Sequence, residues 1–270
     1  MIEACLAALA GLLIGSFLNV CIYRLPRDLS VIRPRSFCPE CERTIPWYDN
    51  IPLISFLVLR GRCRKCGARI AVRYPAVEFL TAAAFFASFW FLGLSAAAVK
   101  FCVLGAILIT LVFSDLEERI LPDEFTIGGA VLGVVFAFFV PLDWGIVGFL
   151  LHGVSNQAIL SVGESIFAAV FCSGSLWLVG TIYQKLRHRE GLGFGDVKMV
   201  GMIGAFLGLE AALLALIVAS LLGAAIGLCY IWFTGKDAST YELPFGSFLG
   251  IGALGVAFVL DVIRVGHLGS

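Results

Sequence analysis

Apolar residues in this chain run in long unbroken blocks rather than in the alternation of a half-buried strand. Eight such blocks stand out, near 2–22, 76–94, 97–114, 125–142, 164–183, 197–208, 210–233 and 245–263. A bilayer core of roughly 30 Å takes about 20 apolar residues of helix, so most of the blocks are long enough to cross. The sixth is short and is parted from the seventh only by Gly208, Leu209 and Glu210. Continuous apolar runs predict helices, since a membrane barrel would alternate between lipid-facing and lumen-facing residues. The pattern predicts an all-α polytopic membrane protein with about eight transmembrane helices. Composition agrees: 60% of the 270 residues are hydrophobic, 14% are charged, and the mean hydropathy is +0.98. Water is not the main solvent for such a chain.

The formal net charge is zero, with none of the excess basic charge that a nucleic-acid partner would call for, but its distribution is uneven. Residues 23–74 hold eleven of the nineteen Lys and Arg, which by the positive-inside bias makes that segment cytoplasmic. Alternating from there, 115–124, 184–196 and 234–244 are cytoplasmic too, and with the adjoining Lys198 this side collects seventeen of the nineteen. Only Lys100 and Arg264 lie elsewhere. The amino terminus is thus expected outside. Glu3 and the lack of a basic residue before the first apolar run argue against a cleavable secretory signal. The first helix is expected to stay in the mature protein. Three parts follow: a first transmembrane helix over 1–22, a cytoplasmic domain over 23–74, and a transmembrane domain over 75–264.

The cytoplasmic segment carries C-P-E-C at 38–41 and C-R-K-C at 63–66, with 21 residues between the pairs. That is close to the spacing of a four-thiolate zinc site, here made by Cys38, Cys41, Cys63 and Cys66. Ile45 and Ile70 each follow the last Cys of their pair by four, as in two similar knuckles packed together. Two disulfides are the alternative, but a reducing cytoplasm disfavours them. Four thiolates leave no open position, so the zinc is expected to be structural, stapling about 50 residues that have little core of their own. Cys5, Cys21, Cys102, Cys172 and Cys229 lie in or beside apolar spans and are expected to be small buried side chains.

Ionisable groups at a membrane boundary are costly and tend to mark function. One cluster is F-S-D-L-E-E-R-I-L-P-D at 113–123, where Asp115 ends the third span and Pro122 opens the approach to the fourth. A second is G-L-G-F-G-D-V-K at 191–198, where glycines including Gly193 and Gly195 lead into Asp196, with Lys198 just beyond. Both fall on the same side of the membrane, 81 positions apart. Singly, Asp196 reads as a helix N-cap and Asp115 as a solvated acid at a helix end. As a pair they read as a general base acting on water and a general acid acting on a scissile carbonyl. The glycines would let the backbone bring Asp196 close to Asp115 and leave room for an extended peptide.

These motifs resemble a known family. G-F-G-D at 193–196 is similar to the G-x-G-D signature of intramembrane aspartic proteases, and D-L-E-E-R-I-L-P-D resembles the first-aspartate motif of the type IV prepilin peptidases. G-S-F-L-N-V-C-I-Y-R-L-P at 15–26, the two Cys pairs, N-I-P-L-I-S at 50–55, L-R-G-R-C at 59–63 and R-Y-P-A-V-E at 73–78 resemble that family's cytoplasmic region. The resemblance implies that Asp115 and Asp196 are the catalytic pair. Glu117 and Asp123 lie near them and do not align with the family's catalytic aspartates. It also implies that a short basic leader is cut from type IV prepilins and type II secretion pseudopilins after a glycine, at the cytoplasmic face of a bacterial inner membrane. Many members then methylate the new terminal amine with S-adenosylmethionine. No nucleotide-binding fingerprint accompanies that implication, because G-L-G-F-G lies between two spans rather than after a strand. P-F-G-S at 244–247 departs from a family P-F-G-P at Ser247, and 143–163 is a long external connection. Within it Trp144 is a candidate interfacial anchor, and His152 reads as an ordinary polar residue.

Charge also predicts where a basic leader would dock. Residues 23–74 carry a net of +7, which repels such a leader and suits anionic membrane lipids. Residues 115–124 hold five acids against Arg119 alone, so Glu117, Glu118 and Glu124 are candidate leader-binding residues. A solvated acidic turn is the plain alternative. Two other classes fit parts of the pattern. A small transporter predicts repeated spans and mid-membrane acids, whereas Glu210 and Asp261 are near span ends. A zinc-stapled secretion scaffold would need no pair of aspartates.

Overall fold

The computed structural model describes residues 1–142, 145–151, 155–188, 193–234 and 244–268, without the side chains of 231, 234 and 261–268. Trp144, His152, Gly191 and the segment 235–243, which includes Lys236, lie outside the described residues, as do the side chains of Asp261 and Arg264. The order of helices is α1 (Ile2–Arg24), α2 (Ile54–Val58), α3 (Arg73–Leu92), α4 (Ala96–Glu118), α5 (Asp123–Phe139), α6 (Ile146–Leu150), α7 (Gln157–Arg187), α8 (Phe194–Leu207), α9 (Leu209–Thr234) and α10 (Phe245–Leu268). Among the described residues there is no strand, only the isolated bridges Phe37–Thr44 and Arg62–Arg69. Each of the eight apolar blocks is a helix. Among the described residues five of them, α1, α3, α4, α7 and α9, are long and apolar enough to cross a membrane. Leu6, Leu9, Leu13 and Phe17 line one exposed side of α1. Such a stripe suits lipid, whereas in water it would be an aggregation surface.

Two compact units divide the chain, Met1–Ser114 and Asp115–Ser270. In the first, α1 and α3 pack with almost no space between backbones. A Cβ on Gly11 would lie 2.8 Å from Ala82 Cα, and one on Gly15 2.8 Å from Glu78 Cα. This is the close approach that small residues four apart permit in membrane helices. Ala7, Phe85 and Cys102 form a buried cluster beside it. The motifs of the amino-terminal half tie the unit together. Asn19 Nδ2 donates to the Tyr74 carbonyl at 3.0 Å. The Glu78 carboxylate accepts the Leu53 N–H at 2.8 Å, holding a residue with φ of +58°.

In the second unit α8 lies at the centre, packed on α5, α7, α9 and α10. Met199, Met202, Ile203, Ala205 and Phe206 are fully buried there, and Ser165 Oγ of α7 donates to the Ala205 carbonyl at 2.7 Å. Fourteen residues of helix rise only about 21 Å, less than a bilayer core. Its neighbours, rather than lipid, cover it. Gly208, with φ of +84°, ends α8, and α9 starts at the next residue. Helix α7 begins at Gln157, seven residues before the block that predicted it. Asn156 caps it, its side chain accepting from the N–H groups of Ala158 and Ile159 at 3.1 and 3.4 Å. An N-cap in a polar stretch carries no apolar signal, which is why hydropathy alone misplaced this end. Glu164, buried on α7, accepts the Val147 N–H at 2.9 Å and so holds the short helix α6 against it. Of the five remaining cysteines, Cys21, Cys102 and Cys172 are buried, but Cys5 and Cys229 are exposed. Both exposed thiols sit on apolar helices, where the expectation of burial assumed a protein neighbour on every side.

Candidate active site and metal centre

The two Cys pairs sit in turns that match bond for bond at an offset of 25 positions. Cys38 N–H donates to the Arg43 carbonyl at 3.0 Å, and Cys63 N–H to the Ala68 carbonyl at 2.8 Å. Glu42 and Gly67, one past each pair, donate back to Cys38 and Cys63 at 2.8 and 3.0 Å with φ of +53° and +73°. Ile45 and Ile70 close the turns on the Ser36 and Gly61 carbonyls, both at 2.8 Å. The knuckle repeat read from the two isoleucines is therefore a repeat of backbone geometry.

The four Sγ atoms lie within 4.8 Å of one another. Thiolates about 2.3 Å from a zinc ion at tetrahedral corners stand about 3.8 Å apart, and the Cys38 and Cys66 sulfurs are 3.8 Å apart. The site fits one metal ion held by four thiolates. The Cys66 N–H, and then that of Lys65, push the Cys63 thiol down to about 6, while against the Ala68 N–H burial and the neighbouring thiols push Cys66 up to about 12. These opposite shifts belong to thiols sharing protons at one site. Beside it Arg64 forks onto Asp49, Nε at 2.8 Å and Nη2 at 2.6 Å from the carboxylate. That hydrogen bond holds the Asp49 carboxyl below its ordinary range and ties the second knuckle to the segment before α2.

The acids converge in the second unit. Helix α4 ends at Glu118 and Arg119 turns left-handed at φ +57°, its N–H on the Asp115 carbonyl at 3.1 Å. Pro122 then caps α5. This tight turn presents Leu121 to Gly195, where a Cβ would lie 3.1 Å from the Leu121 Cβ. Gly193 caps α8, its carbonyl accepting the Asp196 N–H at 3.1 Å, so Asp196 lies in the first turn of α8, three residues past the N-cap. The third wall is Gly246 on α10. A Cβ there would lie 3.1 Å from Asp196 Oδ1 and 3.2 Å from Asp115 Cγ. Asp115 and Asp196 thus meet across a single glycine that leaves them room. Asp115 is 6% exposed, and its Oδ2 accepts the Ser247 N–H at 2.7 Å and the Ser247 hydroxyl at 2.8 Å.

The remaining predicted residues divide around this centre. Lys198 pairs with Asp123 across 75 positions and lies over the Phe194 ring at 4.8 Å. It clamps the start of α5 to α8. Glu117 and Glu124 are exposed and Glu118 is half-buried. Asp123, engaged by Lys198, leaves the acidic turn with less free charge than the sequence count implied. Gly246 and Ser247 were missed as site residues. Their only mark in the sequence was the P-F-G-S departure, which by itself points to no aspartate.

Fold and site together define a multi-pass helical membrane protein organised around two acids, with a four-cysteine knuckle pair in its amino-terminal half. A family model described as the type IV leader peptidase family matches residues 102–228, which contain both aspartates. Another, the bacterial peptidase A24 N-terminal domain, matches residues 9–92, which contain the four cysteines. The chain belongs to the type IV leader peptidase family. It is 40% identical over 232 residues to a prepilin leader peptidase/N-methyltransferase of Myxococcus xanthus, covering 86% of this chain and 64% of that one. Proteins of the same name from Neisseria gonorrhoeae and Legionella pneumophila are 35% and 33% identical, over 81% and 97% of this chain and 79% and 93% of theirs. No solved structure matches the chain.

Proposed function

We propose that this chain is an aspartic endopeptidase of the bacterial inner membrane that removes the basic leader of type IV prepilins and type II secretion pseudopilins. The observation that carries the reading is the meeting of Asp115 and Asp196 at Gly246. One carboxylate takes a proton from water, and the oxygen attacks the scissile carbonyl carbon. The other carboxyl donates its proton to the carbonyl oxygen, and the tetrahedral intermediate collapses as the amine leaves with a proton. Residues 23–74 form the zinc-stapled cytoplasmic domain, and 75–264 the peptidase domain behind the first span, with the amino terminus outside. The zinc is structural, because four thiolates fill its coordination. The net charge of 23–74 is met by anionic lipid, and Glu117, Glu118 and Glu124 receive the leader.

N-methylation of the new amino terminus, with S-adenosylmethionine as donor, is part of this proposal on the names of the relatives. Purified protein in detergent, incubated with a prepilin bearing its leader, tests both activities by mass. Loss of the leader supports cleavage, and a product one methyl heavier with the donor present supports the transfer. An intact prepilin would sink the peptidase reading.

A further inference from the structure

Ser247 is the third residue of α10, and both it and Asp115 are buried, 2% and 6% exposed. Its N–H is one of the first-turn donors that a helix leaves without an intrahelical partner at full strength. It reaches the Pro244 carbonyl at 3.2 Å but Asp115 Oδ2 at 2.7 Å. The hydroxyl adds a second contact to the same oxygen at 2.8 Å. The positive end of α10 also faces this carboxylate. One oxygen of Asp115 is therefore engaged twice by one residue, 132 positions away in the chain.

We propose that Ser247 is a positioning residue for Asp115, pinning Oδ2 with two donors so that Oδ1 is the oxygen left to water and to the proton shared with Asp196. This rests on the reading of Asp115 and Asp196 as the catalytic pair. An oxygen that accepts two donors has no lone pair well placed for a mobile proton, so the proton of the pair resides on Oδ1 or on Asp196. The carboxyl plane is fixed as well, because it must satisfy two donors from one residue. A proline at 247 would supply neither an N–H nor a hydroxyl. This chain holds its first aspartate by a contact that the P-F-G-P form of the motif lacks.

The test measures prepilin cleavage by Ser247→Ala, Ser247→Thr and Ser247→Val in the full-length protein, with Asp115→Asn beside them. Ala and Val remove the hydroxyl and keep the N–H, while Thr and Val match each other in shape. Losing a hydrogen bond to a charged group is expected to lower kcat roughly tenfold in Ala and Val, with KM within about twofold and Thr close to wild type. A structural role alone would lower the folded yield of Val and Thr alike and leave the kcat of the folded fraction unchanged. Wild-type kcat in Ser247→Ala, or equal kcat in Thr and Val, overturns the proposal. The underlying reading fails separately: it falls if Asp115→Asn cleaves, whereas an inactive Asp115→Asn beside a fully active Ser247→Ala overturns only the role of Ser247.

Discussion

Gly246→Ala is the smallest change that reaches both aspartates at once. The added methyl would lie 3.1 Å from Asp196 Oδ1, 3.1 Å from Leu121 Cδ1 and 3.2 Å from Asp115 Cγ, each closer than the roughly 3.5–4.0 Å at which non-bonded heavy atoms rest. Three neighbours on three elements must give way by a few tenths of an ångström. Overpacking of this kind costs about 1–3 kcal/mol, partly offset by the roughly 0.5–1 kcal/mol that Ala gains over Gly inside a helix. The net cost in stability is about 0–2.5 kcal/mol. Ser247 holds the Asp115 carboxyl, so the Asp196 carboxyl is the more movable of the two and absorbs most of the strain. Displacing a reacting group by a full ångström costs on the order of 100-fold in rate, and a few tenths correspondingly less. The expected outcome is a kcat lower by about 10- to 100-fold with a melting temperature in detergent lowered by no more than about 10 °C. Gly255 lies on the same helix, and a Cβ there meets nothing within 4 Å, so Gly255→Ala should cleave at the wild-type rate. Single-turnover cleavage by the two variants reads this directly. Wild-type activity in Gly246→Ala would refute the idea that the aspartates meet at this residue.

Elemental analysis should find one zinc per chain, and single Cys→Ser changes at 38, 41, 63 or 66 should reduce folded yield before they alter cleavage of the surviving protein; metal-free folded protein would contradict this. Glu117, Glu118 and Glu124 replaced together by Gln should flatten the salt dependence of cleavage, since an exposed charge pair contributes only about 0 to 1 kcal/mol and is screened; identical salt curves would exclude the acidic turn as the leader's dock. Lys198→Gln frees Asp123 and should lower kcat/KM by no more than about fivefold, and complete loss would mean that Lys198 touches the reaction itself.

Hydropathy made the helices legible because a bilayer imposes length and continuity on each span. The start of α7 escaped it because a polar cap at Asn156, not an apolar residue, sets that boundary. The thiol cluster was legible down to its internal repeat, since a metal site fixes ligand spacing in sequence as well as in space. The two aspartates were legible as boundary acids, and family resemblance paired them. Gly246 and Ser247 were not, because they reach Asp115 from α10 through packing that no local spacing encodes. Charge counting overstated the free acids of 115–124 for the same reason: the partner of Asp123 is Lys198, which is distant in sequence and adjacent in space.

The central claim is that Asp115 and Asp196 act as one catalytic unit, and the most direct test is cleavage of a full prepilin by purified wild type, Asp115→Asn and Asp196→Asn. Asn keeps the shape of each side chain and removes its acid–base function. Both variants should be folded in the membrane, retain zinc and leave the leader uncut, while the wild type shows a bell-shaped pH profile whose limbs belong to the pair. Sustained cleavage by either variant, beyond a trace, would contradict the account.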